Sequence, residues 1–273
     1  MFNLKELYIA KDLNDAYDTL VSSKNNCIIG GAMWLKMSNR AINKGIDLSN
    51  LNLNYIKEEE DKFIIGSMTS LREIEKSKNL NLAFDGYFKK FLKSIVGTQF
   101  RNTATIGGSV YSKFGFSDIS TGLLGLNTYV ELFRGGIVSL EEFNKMECKK
   151  DILVNIIIYK NENLKVEYES LRLSKTDLPL INVAVSYDEK VKEFNIFVGA
   201  RPNLSKRAVK SSEAISNDFS NLDKGLDLIS KELDFGKNMR GSKEYREETS
   251  KILVKRCILK IMEDSYENKG MDK

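Results

Sequence analysis

Residues 97–118 read GTQFRNTATIGGSVYSKFGFSD. A run of small residues, TATI at 103–106, closes in the pair Gly107-Gly108, and an acid, Asp118, follows ten residues later. Glycine has no Cβ, so it lets the backbone approach a ligand closely. Successive N–H groups in such a turn form an anion-binding nest suited to a diphosphate. A second stretch has the same form: CIIGGAMW at 27–34 is a short apolar strand ending in Gly30-Gly31. Two such loops in one domain suit two parts of a long dinucleotide. Each pair alone also reads as an ordinary turn. Neither matches G-x-G-x-x-G or G-x-x-x-x-G-K-[ST], so the Rossmann and P-loop fingerprints are missing.

Outward from these loops, residues 13–22 (LNDAYDTLVS) space their apolar positions as an amphipathic helix. Residues 45–51 and 62–66 read as strands, and Ser70 with Glu73 forms a capping box that opens a helix. Residues 87–96 give an aromatic helix. Residues 101–108 read as a turn and a small-residue strand, and residues 118–126 as a helix with an acidic cap. A hairpin bends at Gly135-Gly136, and residues 152–159 make a largely apolar strand. Beyond the polar residues 160–163 the texture changes: three antiparallel strands (164–173, 181–187, 193–199) precede a mainly helical tail. The expected fold class is α+β, with a two-lobed first domain over residues 1–162. A smaller second domain, over 163–273, carries a three-stranded antiparallel sheet and helices.

The 273 residues are 42% hydrophobic, enough for two packed cores. No apolar run is long enough to span a bilayer, and residues 1–13 lack the pattern of a signal peptide; a cytoplasmic protein is expected. The 42 basic and 38 acidic residues intermingle without the concentrated basic stripe that nucleic acid requires. There is no histidine, which excludes Ser-His-Asp triads, Cys-His pairs and histidine metal sites. Cys27, Cys148 and Cys257 are scattered, without CxxC spacing, and read as small buried hydrophobes and not as a metal or iron–sulfur site. Any redox chemistry falls to a cofactor.

The order of motifs resembles the FAD-binding flavoprotein subunits of the molybdenum hydroxylases, the family of xanthine dehydrogenase and of the carbon monoxide dehydrogenase medium subunit. RNTATIGG with its distant Asp118 resembles the Arg-Asn, A-T-I-G-G-N and Asp of the family flavin loop, and IIGGAMWLK resembles the first flavin loop. IIGSMTSLREIE is similar to the family segment I-G-A-x-T-x-x-x-x-I. FVGARPNLSKRA and RGSKEYREETSKILVKRCI resemble its later V-G and R-x-S-x-x-Y-R segments. The resemblance runs in order along nearly the whole chain.

It implies a two-lobed FAD-binding domain followed by a flavoprotein C-terminal domain. Ile28, Ile29, Gly30, Gly31, Ala32, Met33 and Trp34 would wrap the FAD diphosphate. Thr105, Ile106, Gly107, Gly108 and Ser109 would form a second cradle. Asp118 would accept from a flavin or ribose hydroxyl, Leu153 would pack on a cofactor ring, and Arg172 would approach the flavin. No catalytic side chain and no metal site are implied. A separate molybdopterin-binding subunit would oxidise the substrate, and a separate 2Fe–2S subunit would pass electrons to FAD and on to NAD or another acceptor. Asp118 also reads as a helix cap, Leu153 as core, Arg101 as a surface or interface charge, and Tyr245 and Arg246 as packing and salt-bridge residues. Ala32, Ser109 and Phe114-Gly115 stand where the family has Thr, Asn and Ser-Pro. They motivate the rival reading, an assembly subunit that keeps the fold but holds FAD weakly.

Overall fold

The computed structural model describes residues 2–147 and 149–271; Cys148 therefore lies outside the described residues. The chain forms two compact units that interleave in sequence. The first comprises Met1–Leu80, Gly97–Ser112 and Thr128–Lys160; the second comprises Asn81–Val96, Lys113–Asn127 and Asn161–Lys273.

The first unit holds two sheets. Strands β1 (Asn3–Ile9), β2 (Cys27–Ile29) and β3 (Ala41–Asp47) form a parallel sheet in the order β1-β3-β2. The Leu13–Val21 helix, capped by Asp12, packs against it through Ala16 and Leu20. Strands β4 (Ile56–Glu58), β5 (Lys62–Gly66), β6 (Asn127–Leu132), β7 (Gly136–Ser139) and β8 (Leu153–Tyr159) form the second sheet, in the order β4-β5-β8-β6-β7. Central β8 is buried along all but its last residue, as expected for a strand covered on both faces. Its one polar residue, Asn155, is matched: it accepts from the Tyr55 hydroxyl (2.5 Å) and donates to Glu131 (2.7 Å). Ile152 and Val154 join Ile46, Leu48 and Leu53 in one core.

Two features of this unit differ from the sequence reading. Strand β1 carries no apolar run, because it is an edge strand with mostly exposed side chains. Residues 101–108 are not a strand. Two short helices, Thr98–Thr103 and Ile106–Tyr111, flank a single bridge between Thr105 and Ser70. The Thr105 hydroxyl accepts from the Gly108 N–H at 3.2 Å, so the glycine pair sits in a capped first turn.

The second unit is built on an antiparallel sheet of four strands, not three. Strands β9 (Leu164–Leu171), β10 (Ile181–Asp188), β11 (Glu193–Gly199) and β12 (Lys206–Arg207) lie in the order β12-β11-β10-β9. The added strand is two residues of Lys and Arg, too short and too polar to read as β. Alternate residues of β10 and β11 (Ile181, Val183, Val185; Phe194, Ile196, Val198) face a core shared with the Val209–Asn217 and Lys243–Met271 helices. The Tyr87–Leu92 and Asp118–Leu124 helices also pack on this sheet. They fit tightly: a Cβ on Gly122 would lie 2.8 Å from the Phe91 ring, and Tyr87 donates to the Gly122 carbonyl at 2.9 Å.

Arg246, 1% exposed, locks the long helix in place. The sequence suggested a salt bridge; instead its guanidinium donates to the carbonyls of Leu180 and Ala200 (2.7 Å to the latter) and to Asn238 Oδ1 (2.6 Å). Arg201 likewise donates to the carbonyls of Val198, Leu204 and Asp234. Five donors in a rigid fork make arginine able to satisfy several loop carbonyls at once. Arg246→Leu leaves the Leu180 and Ala200 carbonyls buried and unmet, each at roughly 1–3 kcal/mol, so a loss of about 2–6 kcal/mol in stability is expected. Urea unfolding followed by circular dichroism measures it, and an unchanged midpoint would rule the clamp out.

Candidate functional site

Both glycine loops line one cavity of about 420 Å³ within the first unit. That volume falls in the range of small-molecule sites, roughly 300–1,000 Å³. Of the residues expected at the site, Ile28, Gly30, Gly31, Ala32, Met33, Trp34, Thr105, Gly107, Gly108, Ser109 and Leu153 line it. Ile29 pairs with Asp47 in the parallel sheet, and Ile106 is fully buried; neither is among the lining residues.

The first loop leaves β2 and turns at Ala32, whose φ is 51°. This left-handed conformation helps successive N–H groups converge on one point. Among the described residues, the N–H groups of Gly31, Ala32 and Met33 make no hydrogen bond. Three unengaged donors in a wall of the cavity are what an anionic cofactor would use, and all three are backbone groups. The Thr-to-Ala difference at Ala32 therefore leaves them in place.

The second loop is different. The Gly107 N–H donates to the Ser67 carbonyl (2.9 Å), the Gly108 N–H to Thr105 Oγ1 (3.2 Å), and the Ser109 hydroxyl back to the Thr105 carbonyl (2.8 Å). Its donors are engaged within the protein. The residues just ahead of its glycine pair, Thr103 to Thr105, receive the first loop. A Cβ on Gly31 would lie 1.8 Å from the Thr103 carbonyl oxygen, and one on Gly30 would lie 2.6 Å from Thr105 Oγ1. The Thr98–Thr103 helix that presents this carbonyl is anchored by Arg101, which is buried, not a surface charge, and bonds Glu75 at 2.8 Å. Burial alone would raise the Glu75 pKa, but Arg101 and Arg72 more than reverse this and hold it below the usual carboxylate value.

Sequence reasoning missed the charge of this cavity. Lys24, Arg40, Lys149 and Lys150 line it, against one acid, Asp151. The Asp151 carboxylate is turned onto the N–H groups of Arg134, Gly135 and Ile152. Lys150 bonds the carbonyls of Leu20 (2.8 Å), Ser23 and Asn26 (3.2 Å) at the C-terminal end of the Leu13–Val21 helix, and burial lowers its pKa. The cations are scattered in sequence, at 24, 40, 149 and 150, so no motif signals them. Cys27 also lines the cavity and is only half-buried, whereas Cys257 is buried as expected.

Asp118 and Arg172 belong to the second unit. They form a buried ion pair there, joined by the Tyr168 hydroxyl on the same carboxylate oxygen. Burial raises the Asp118 pKa, with Arg172 and Tyr168 pulling against it. The cap of the Asp118–Leu124 helix is Ser117, not Asp118. Phe114 stacks on Phe116 with ring centroids 5.0 Å apart, and Tyr245 is exposed.

A family model described as the FAD binding domain in molybdopterin dehydrogenase matches residues 2–160. A second, the CO dehydrogenase flavoprotein C-terminal domain, matches residues 167–261. The chain belongs to this family, the FAD-binding flavoprotein subunits of the molybdenum hydroxylases. It is 23% identical to the glyceraldehyde dehydrogenase medium chain of Sulfolobus acidocaldarius, over 92% of this chain and 96% of that one. The fold is shared with a chain of CO dehydrogenase from Oligotropha carboxidovorans (TM-score 0.84, 21% identity, 94% and 96% of the two chains). It is also shared with a chain of quinoline 2-oxidoreductase from Pseudomonas putida 86 (TM-score 0.82, 18% identity, 97% and 98%).

The unengaged N–H groups, the close packing of the first loop on residues 103–105 and the net positive lining fit FAD. Gly31→Ala, whose Cβ has no room against Thr103, is expected to weaken FAD binding at least tenfold, or about 1.4 kcal/mol. Gly97→Ala meets nothing within 4 Å and serves as the control. Flavin fluorescence titration of the two variants checks this, and equal affinities would show that the close packing is not needed for binding.

Proposed function

We propose that the chain is the electron-transfer subunit of a multi-subunit, xanthine dehydrogenase-like molybdenum hydroxylase. In this reading a separate molybdopterin-binding subunit oxidises the substrate. A separate 2Fe–2S subunit delivers the electrons to FAD on this chain, and NAD or another acceptor removes them. The observation that carries the reading is one cavity lined both by Gly31, Ala32 and Met33, whose N–H groups are unengaged among the described residues, and by Lys24, Arg40, Lys149 and Lys150. Bound FAD supplies the redox chemistry by taking up and releasing electrons.

The chain's own part is positional. Gly31, Ala32 and Met33 hold the diphosphate, and Lys24, Arg40 and Lys149 attract it. Trp34, braced edge-on by Phe100 with centroids 5.7 Å apart, and Leu153 wall the cavity with apolar surface. With no histidine in the chain, and with the lining acid held on backbone N–H groups, no side chain here is assigned to proton transfer. Among the described residues no helix is long and apolar enough to cross a membrane.

The expected outcome is a yellow protein with a flavin absorption spectrum that releases FAD on denaturation and copurifies with two different chains, one carrying molybdopterin and one carrying 2Fe–2S. A colourless chain that takes up no added FAD, alone or with those partners, would favour the assembly-subunit reading.

A further inference from the structure

Ser67 follows directly on β5 and lines the same cavity, between Met68 and the second glycine loop. Its backbone is a junction. The N–H donates to the Val154 carbonyl on β8 (2.9 Å), and the carbonyl accepts from Gly107 N–H (2.9 Å). The fit is so close that a Cβ on Gly107 would lie 2.6 Å from Ser67 Cβ. The backbone and Cβ of Ser67 are therefore held at the point where the Leu153 strand meets the second glycine loop.

The residue is 4% exposed, yet its hydroxyl has no hydrogen-bond partner among the described residues. A buried hydroxyl without a partner is unfavourable, and native structures seldom leave one. The polar groups around it are already engaged: Gly107 N–H with Ser67 O, Gly108 N–H with Thr105 Oγ1, and the Ser109 hydroxyl with Thr105 O. Ser67 is among the residues that line the cavity, and rotation about its χ1 can bring the hydroxyl to a group bound there. In the family segment that IIGSMTSLREIE resembles, alanine stands at this position.

We propose that Ser67 Oγ is a further cofactor-binding group, making a hydrogen bond to bound FAD. The proposal rests on the FAD reading above. It predicts a separation between two measurements. In flavin-free protein, Ser67→Ala removes an unpaired polar group and leaves the melting temperature unchanged or slightly higher. In FAD titrations the same variant binds about 5- to 20-fold more weakly, the effect of one lost hydrogen bond to a ligand.

The experiment is FAD titration and thermal melting of wild-type and Ser67→Ala protein side by side. Should the alanine variant not fold, Ser67→Cys, close in size but a poor hydrogen-bond donor, is read the same way. Weaker FAD binding at undiminished flavin-free stability supports the proposal. Binding within twofold of wild type overturns it and leaves the FAD reading standing. Wild-type protein that takes up no FAD overturns the FAD reading itself, and this proposal with it.

Discussion

The contact between Gly31 and the Thr103 carbonyl sets the geometry of the first unit's cavity. At 1.8 Å from a hypothetical Cβ to that oxygen, no residue but glycine allows the two backbones to lie this close. The first loop is thereby pressed onto a helix seventy positions downstream, and Arg101 and Glu75 fix that helix from behind. Bringing the loops together determines where the free N–H groups of Gly31, Ala32 and Met33 lie. It also leaves the second loop with a different task. The first loop contributes donors, while the second satisfies its own donors through Thr105 and Ser67. Two glycine pairs that look equivalent in sequence do unlike things.

The second unit meets a comparable demand by other means. Its loops end in carbonyls that no strand or helix satisfies. Arg201 and Arg246 collect them from the inside, each with several donors on one rigid plane. These charges have no ion-pair partner among the described residues; carbonyl dipoles replace one. The Asp118–Arg172 pair, by contrast, is a conventional buried bridge, braced by Tyr168.

Much of this was legible in the sequence, and the exceptions have physical causes. Apolar runs revealed β8 and β10, because strands covered on both faces cannot hide their composition. Edge positions concealed β1 and β12, where polar side chains meet water. The glycine pairs announced the cavity, since a Cβ-free surface leaves a mark in composition. The short helices around Thr105 were read as a strand, because Thr and Ile favour β structure locally and the capping contact that decides otherwise lies in the tertiary fold. The cations of the cavity left no local signature, as they come from three separate places in the chain. Arg246 was recognised as a packing residue but not as a carbonyl clamp, because its partners are backbone atoms and carry no sequence signal.

The interleaving of the two units bears on how the chain is made. Residues 87–92 carry Tyr87, Phe88, Phe91 and Leu92, all buried, yet the sheet they pack on begins only at Leu164. During synthesis this aromatic surface emerges from the ribosome well before its cover exists. The first unit, complete at Lys160, can close around its own core in the meantime, while the aromatic segment stays exposed until the strands of the second unit follow. Long-range pairing of this kind slows folding and exposes sticky surface. A truncation after the first family domain would make that transient state permanent.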